Sequence, residues 1–206
     1  MILIDGVLSI KYQYRALIKF SLFFLIPLIL RKKVFSSPIK KLFKTDSKNT
    51  RKEIALGIIV YIFILISFFV FRNFFDFSKV TENITKKVGV NKNNFLYASL
   101  YISFFNSFIE EVFFRGFAFL KLKEVTKGNF ALYFSSLFFS VYHVFIMNNW
   151  FNIYLFLLLI FSLFISGIIF GKLNEKSKSI YPSWIVHMFA NFSINTVGFI
   201  LFNTLL

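Results

Sequence analysis

The sequence predicts an all-α fold, a polytopic membrane helix bundle of about six transmembrane helices that forms one domain over residues 1–206. Composition is the first ground for this. The chain is 57% hydrophobic and 22% aromatic, with 34 Phe and nine acidic residues. A soluble domain of this length cannot hide so much apolar surface, whereas lipid accepts helices that are hydrophobic all round. The second ground is spacing. Apolar stretches recur at about 12–30, 54–75, 95–120, 130–147, 151–170 and 182–202. About 20 residues rising 1.5 Å each cross the hydrocarbon core, so most of these are long enough. The third ground is the placement of Lys and Arg, which sit almost entirely in short segments between the apolar runs.

Taken in order, the first run is the weakest. Lys19 and Pro27 interrupt it, and a tilted or partly inserted helix is the alternative. Ala16 to Leu30 is followed by Arg31-Lys32-Lys33, which reads as a retained anchor rather than a cleaved signal. The second and fifth runs are nearly pure hydrocarbon, Ser67 being the notable polar group in the second. The third, fourth and sixth carry polar stripes. Ser99, Ser103, Asn106 and Glu110 line one face of the third, Ser136, Ser140 and His143 one face of the fourth, and His187, Asn191 and Asn195 one face of the sixth. Lipid tolerates none of these stripes, so the three are expected to face one another and to gather the active site.

Net charge is +15, which by itself suggests a nucleic-acid partner. Clusters of Lys and Arg at helix ends instead orient spans and attract anionic headgroups, so the expected partner is the lipid bilayer and no nucleic acid. The segments 31–53, 121–129 and 171–181, together, hold 15 Lys or Arg against 7 on the opposite set. The positive-inside rule then puts the 31–53 loop in the cytoplasm as a solvated or lipid-surface linker, and both termini outside a multi-pass cell-membrane protein. The absence of Cys excludes a disulfide framework, a thiolate metal site and a cysteine nucleophile.

Three charges lie inside the third run. Each ionised group near mid-bilayer costs about 2.5–3.5 kcal/mol, so it must pair or line a cavity. Glu111 and Arg115, four apart, form a same-face ion pair. Glu110 points elsewhere and is expected to be a free carboxylate, poised to accept or pass a proton as a general base or acid. An intramembrane Glu–Arg pair or a single His often serves only to join helices. Here both His residues of the chain fall in the polar stripes, which favours chemistry.

Glu110-Glu111-Val112-Phe113-Phe114-Arg115 has the form EExxxR, Phe139 to His143 the form FxxxH, and His187 to Asn191 the form HxxxN. In this order, on separate helices, they resemble the CAAX prenyl protease and bacteriocin-processing (CPBP, Abi) family of intramembrane glutamic endopeptidases. Residues 95–195 would be the protease core. The resemblance implies that Glu110 and His143 activate a water, that His187 and Asn191 stabilise the oxyanion, and that Glu111 and Arg115 support them. Phe139 is expected to pack. The implied substrate is a peptide or lipidated protein: members cut prenylated tails, process peptide leaders or confer bacteriocin immunity. No cofactor is expected. Zinc on Glu110, His143 and His187 is the alternative, disfavoured because Asn is a poor zinc ligand and no H-E-x-x-H helix is present. A non-catalytic reading, as an immunity factor or transporter-like protein using buried carboxylates and His as a proton relay, stands beside the protease; the chain shows no inverted repeat and no pair of broken helices.

Overall fold

The computed structural model describes residues 17–25, 27–29, 38–44, 50–147 and 151–204. Residues 12–16 of the first apolar run, the Arg31-Lys32-Lys33 cluster and the 148–150 connection lie outside the described residues. Every regular element described is helical. The first, α1, covers 17–25, and its second half, Ser21–Leu25, is π-helical. A 3₁₀ turn follows at Ile39–Phe43. Next come α2 (Thr50–Phe71) and a short α3 (Ser78–Asn83). The long α4 is a composite, running through Phe95–Tyr101, a π segment Ile102–Asn106, an α turn Ser107–Glu111 and a second π segment Val112–Lys121. Three helices complete the bundle: α5 (Phe130–Met147), α6 (Ile153–Ser177) and α7 (Tyr181–Thr204).

Three helical stretches, Thr50–Phe74, Ile153–Ser177 and Tyr181–Asn203, are long and apolar enough to cross a membrane. Phe130–Val144 is a shorter apolar helix. The outward faces bear the membrane reading out: Ile59, Phe63, Leu137, Phe138, Leu157 and Phe161 are all more than half exposed. In water such a belt is an aggregation surface; in lipid it is the ordinary exterior.

Chain breaks follow local chemistry. The Asn152 side chain caps α6 by accepting the Leu155 N–H at 3.0 Å. At the other end Lys178 adopts a left-handed φ of 55°, and Pro182 sits in the first turn of α7, where its missing N–H costs nothing. Inside the bundle α7 packs along α2, α6 and the first half of α4, while α5 packs on α6 and the second half of α4. Close approach needs small residues. A Cβ on Gly167 of α6 would lie 2.9 Å from the Ser136 Cα of α5.

Two sequence expectations are corrected here. The 31–53 segment is not simply a solvated linker, because its 3₁₀ turn buries Ile39 and Leu42 against Val112, Phe117 and Ile180. Leu42 O also accepts from the Ile180 N–H at 3.0 Å and the Ser179 hydroxyl at 3.2 Å. The α5 stripe, moreover, does not face the other two as a unit. Ser140 donates to Ile160 O and Ser136 meets Gly167, so both serve the α5–α6 contact.

Candidate active site

The first half of α4 meets α7 through the expected polar stripes. The Asn195 amide donates to Ser99 O at 3.2 Å and Ser103 Oγ at 3.0 Å, and the Asn191 amide donates to Ile102 O at 3.3 Å. Trp184 Nε1 braces the same seam through Ser107 Oγ at 3.1 Å. This registers His187 opposite the two glutamates. Glu110, Glu111 and His187 are all buried, so the cluster sits well inside the bundle.

Glu111 is 0% exposed and is held from three directions. Arg115 Nη1 lies 3.2 Å from its Oε1. His187 Nδ1 is 2.9 Å from the same oxygen. The Ser183 hydroxyl donates to Oε2. Ser183 is itself fixed by Asn174, whose amide donates to Ser183 Oγ at 2.6 Å and whose carbonyl takes the Ser183 N–H at 3.0 Å. Arg115 is 1% exposed, and among the described residues its Nη atoms make no aligned hydrogen bond. Its guanidinium lies over the rings of Phe139 and Phe170, 4.0 and 5.0 Å from their centroids. Such cation–π contact supplies part of what water would give it.

Glu110, 2% exposed, is not the free carboxylate that the spacing suggested. The Lys19 ammonium of α1 donates to Glu110 Oε1 and to Asn106 Oδ1, and the Asn106 amide donates to the same Oε1 at 2.9 Å. The other oxygen, Oε2, faces His187 Nε2 across 3.7 Å, beyond direct hydrogen-bond length. The site therefore contains two buried ion pairs side by side, Lys19–Glu110 and Arg115–Glu111.

His143 enters from α5. Its Nδ1 lies 2.8 Å from Phe139 O, and a carbonyl oxygen only accepts, so Nδ1 carries the proton and Nε2 is an acceptor. Its imidazole is within electrostatic reach of Glu110 and His187. Phe139 is the packing wedge it was expected to be, with its ring 4.6 Å from His143 and 5.8 Å from His187. No group of three or more His, Cys, Asp or Glu among the described residues is arranged to hold a metal ion.

Reasoning from sequence missed Lys19, Ser183 and Asn174. A lone Lys inside an apolar run is itself a signal for a buried carboxylate partner. Ser183 precedes His187 by one turn and extends the stripe of His187, Asn191 and Asn195. Asn174 carried no signal, because its role depends on the reversal at 178–180.

Beside the polar seam, between α2, α4 and α7, opens a groove of about 440 Å³. Ile58, Leu100 and Phe192 line its apolar walls, and Ser99 and Asn195 form its polar edge.

Residues 92–193 match a family model described as type II CAAX prenyl endopeptidase Rce1-like. No curated protein and no solved structure matches the chain.

Proposed function

We propose that this chain, which through residues 92–193 belongs to the Rce1-like family of type II CAAX prenyl endopeptidases, hydrolyses a peptide bond of a membrane-associated substrate with water activated by Glu110. The family is one of proteases, and the chain's apolar helices make it a membrane protein. The observation that carries the reading is that Glu110 Oε2 faces His187 Nε2 across 3.7 Å, outside direct hydrogen-bond length, while Oε1 is taken up by Lys19 and Asn106. One carboxylate oxygen is fixed and the other is left to work.

In the proposed step, Glu110 Oε2 accepts a proton from water as the water oxygen bonds to the scissile carbonyl carbon. His143, its Nδ1 committed to Phe139 O, offers Nε2 as a second acceptor for that water. The carbonyl oxygen becomes an oxyanion near His187 and Asn191. An amide nitrogen has two hydrogens, and Asn191 spends one on Ile102 O, so one remains for the oxyanion. Collapse breaks the C–N bond, and the proton held by Glu110 passes to the leaving amine. Glu111, locked by Arg115 and Ser183, holds the imidazole of His187 through Nδ1, much as a buried carboxylate orients the His of a hydrolase triad. No step in this scheme uses a metal.

The six-span topology in the cell membrane and the choice of a lipidated or leader peptide are part of the same proposal. The test is cleavage in lipid nanodiscs of three probes: a farnesylated peptide ending in a CaaX sequence, the same peptide without the prenyl group, and a bacteriocin-type leader peptide. Mass spectrometry should find one of them cut at a single bond, before and after treatment with chelator. No cleavage of any probe by folded protein contradicts the protease reading; cleavage lost to chelator and restored by zinc contradicts the metal-free mechanism.

A further inference from the structure

We infer that Lys19, which lies outside the family-matched residues 92–193, is a positioning residue for Glu110; the inference rests on the protease reading above. Lys19 is 4% exposed in a helical segment whose other residues are almost all apolar. A buried ammonium in such a segment is tolerated only with a partner, and the partner here is the carboxylate that the mechanism uses as its base.

The geometry does more than neutralise charge. Lys19 Nζ, Asn106 and Glu110 close a triangle: the ammonium donates to Asn106 Oδ1 and Glu110 Oε1, and the Asn106 amide donates to that same Oε1. Two donors on one carboxylate oxygen set the rotation of the whole group. The second oxygen is thereby aimed at His187. Aromatic rings close off the rest of the ammonium, with Nζ 4.9 Å from the Tyr142 ring centroid and 5.7 Å from that of Phe23. Tyr142 precedes His143, so the cation contacts the three elements, α1, α4 and α5, that meet around the base. Phe23 of α1 also stacks on Phe113, centroids 4.3 Å apart, and holds α1 at the level of the glutamates.

Lys19 does not touch the reacting atoms in this account. It acts through Glu110, so its loss should reduce turnover rather than binding. The experiment uses the full chain in nanodiscs and whichever of the three peptide probes the wild type cuts, with rates normalised to folded protein. Lys19→Met keeps the length and removes the charge; kcat should fall about 10²-fold, as for a misplaced catalytic group, with KM little changed. Lys19→Arg restores a cation and should recover most of kcat. Because the chain has no Cys, Lys19→Cys treated with 2-bromoethylamine rebuilds an ammonium at this one position, and kcat should rise again after treatment. A structural anchor alone predicts otherwise: lower yield and earlier unfolding for Lys19→Met, but wild-type kcat per folded molecule. That result overturns the inference, as does failure of both cation-restoring variants to recover activity when they fold. If the wild type cuts none of the probes, the protease reading fails first, and the outcomes are distinguishable.

Discussion

Arg115 is where a single side chain decides most. It is nearly sealed from solvent, sits 3.2 Å from Glu111 and spreads over Phe139 and Phe170. Arg115→Ala leaves a buried carboxylate without its cation and should cost about 3–5 kcal/mol. Membrane abundance and unfolding temperature should fall together; normal abundance with full activity would remove the supporting pair from the account. Arg115→Lys keeps a charge but loses the planar stack, so it should fall between the two. At this scale the four-residue spacing made the Glu111–Arg115 contact readable, since it lies within one helix. The partner of Glu110 was not readable in the same way. Lys19 is 91 residues distant, and nothing local says which carboxylate a lone buried ammonium meets. Ser183 was missed for another reason: Ser is common in membrane helices as a donor to its own backbone, and its bond to Glu111 depends on the tertiary fold.

The helices themselves carry the next set of consequences. Around Glu110 and Glu111, α4 changes from π to α and back to π, and the N–H after its second π segment reaches Phe117 O, five residues earlier. Wide turns of this kind redirect side chains and concentrate at functional sites. A 3.6-residue period could not anticipate them, and it also grouped Ser136 and Ser140 with His143 although the two serines serve α6. The α5–α6 contact that they make gives a clear prediction. At Gly167 a Cβ would stand 2.9 Å from both Cα and Cβ of Ser136. Backbone, not a flexible side-chain tip, is in the way, so Gly167→Val should push the helices apart and cost about 1–3 kcal/mol. Thermal unfolding in detergent measures this, and an unchanged midpoint would show that α5 and α6 are not packed as described.

Across the whole molecule, the loops join up. Lys123 bonds Glu175, linking the 121–129 and 171–181 segments, and Leu42 of the 31–53 segment bonds Ser179 and Ile180. The three basic segments that loop charge assigned to one side thus meet at one end of the bundle. That assignment rested on charge counts, and the membrane class rested on composition, both of which survive ignorance of every contact. Individual spans were harder to read, because length and hydropathy single out three helices, whereas the apolar run of α4 carries the carboxylates of two buried ion pairs. Reporter fusions after Lys44 and after Leu206 are expected to report opposite sides, cytoplasm first. Both on one side would contradict the six-span orientation.

The most direct measurement is the cleavage rate of Glu110→Gln at matched folded amounts. Gln keeps the size and hydrogen bonds of the side chain but cannot serve as the base, so hydrolysis should fall by about 10²–10⁴-fold. It also leaves Lys19 without a counter-charge, so the double variant Lys19→Met, Glu110→Gln is made alongside it. Removing both charges of a buried pair should restore abundance lost in the single variant while hydrolysis stays at least as low as in Glu110→Gln. Cleavage by folded Glu110→Gln at the wild-type rate would contradict the account at its centre.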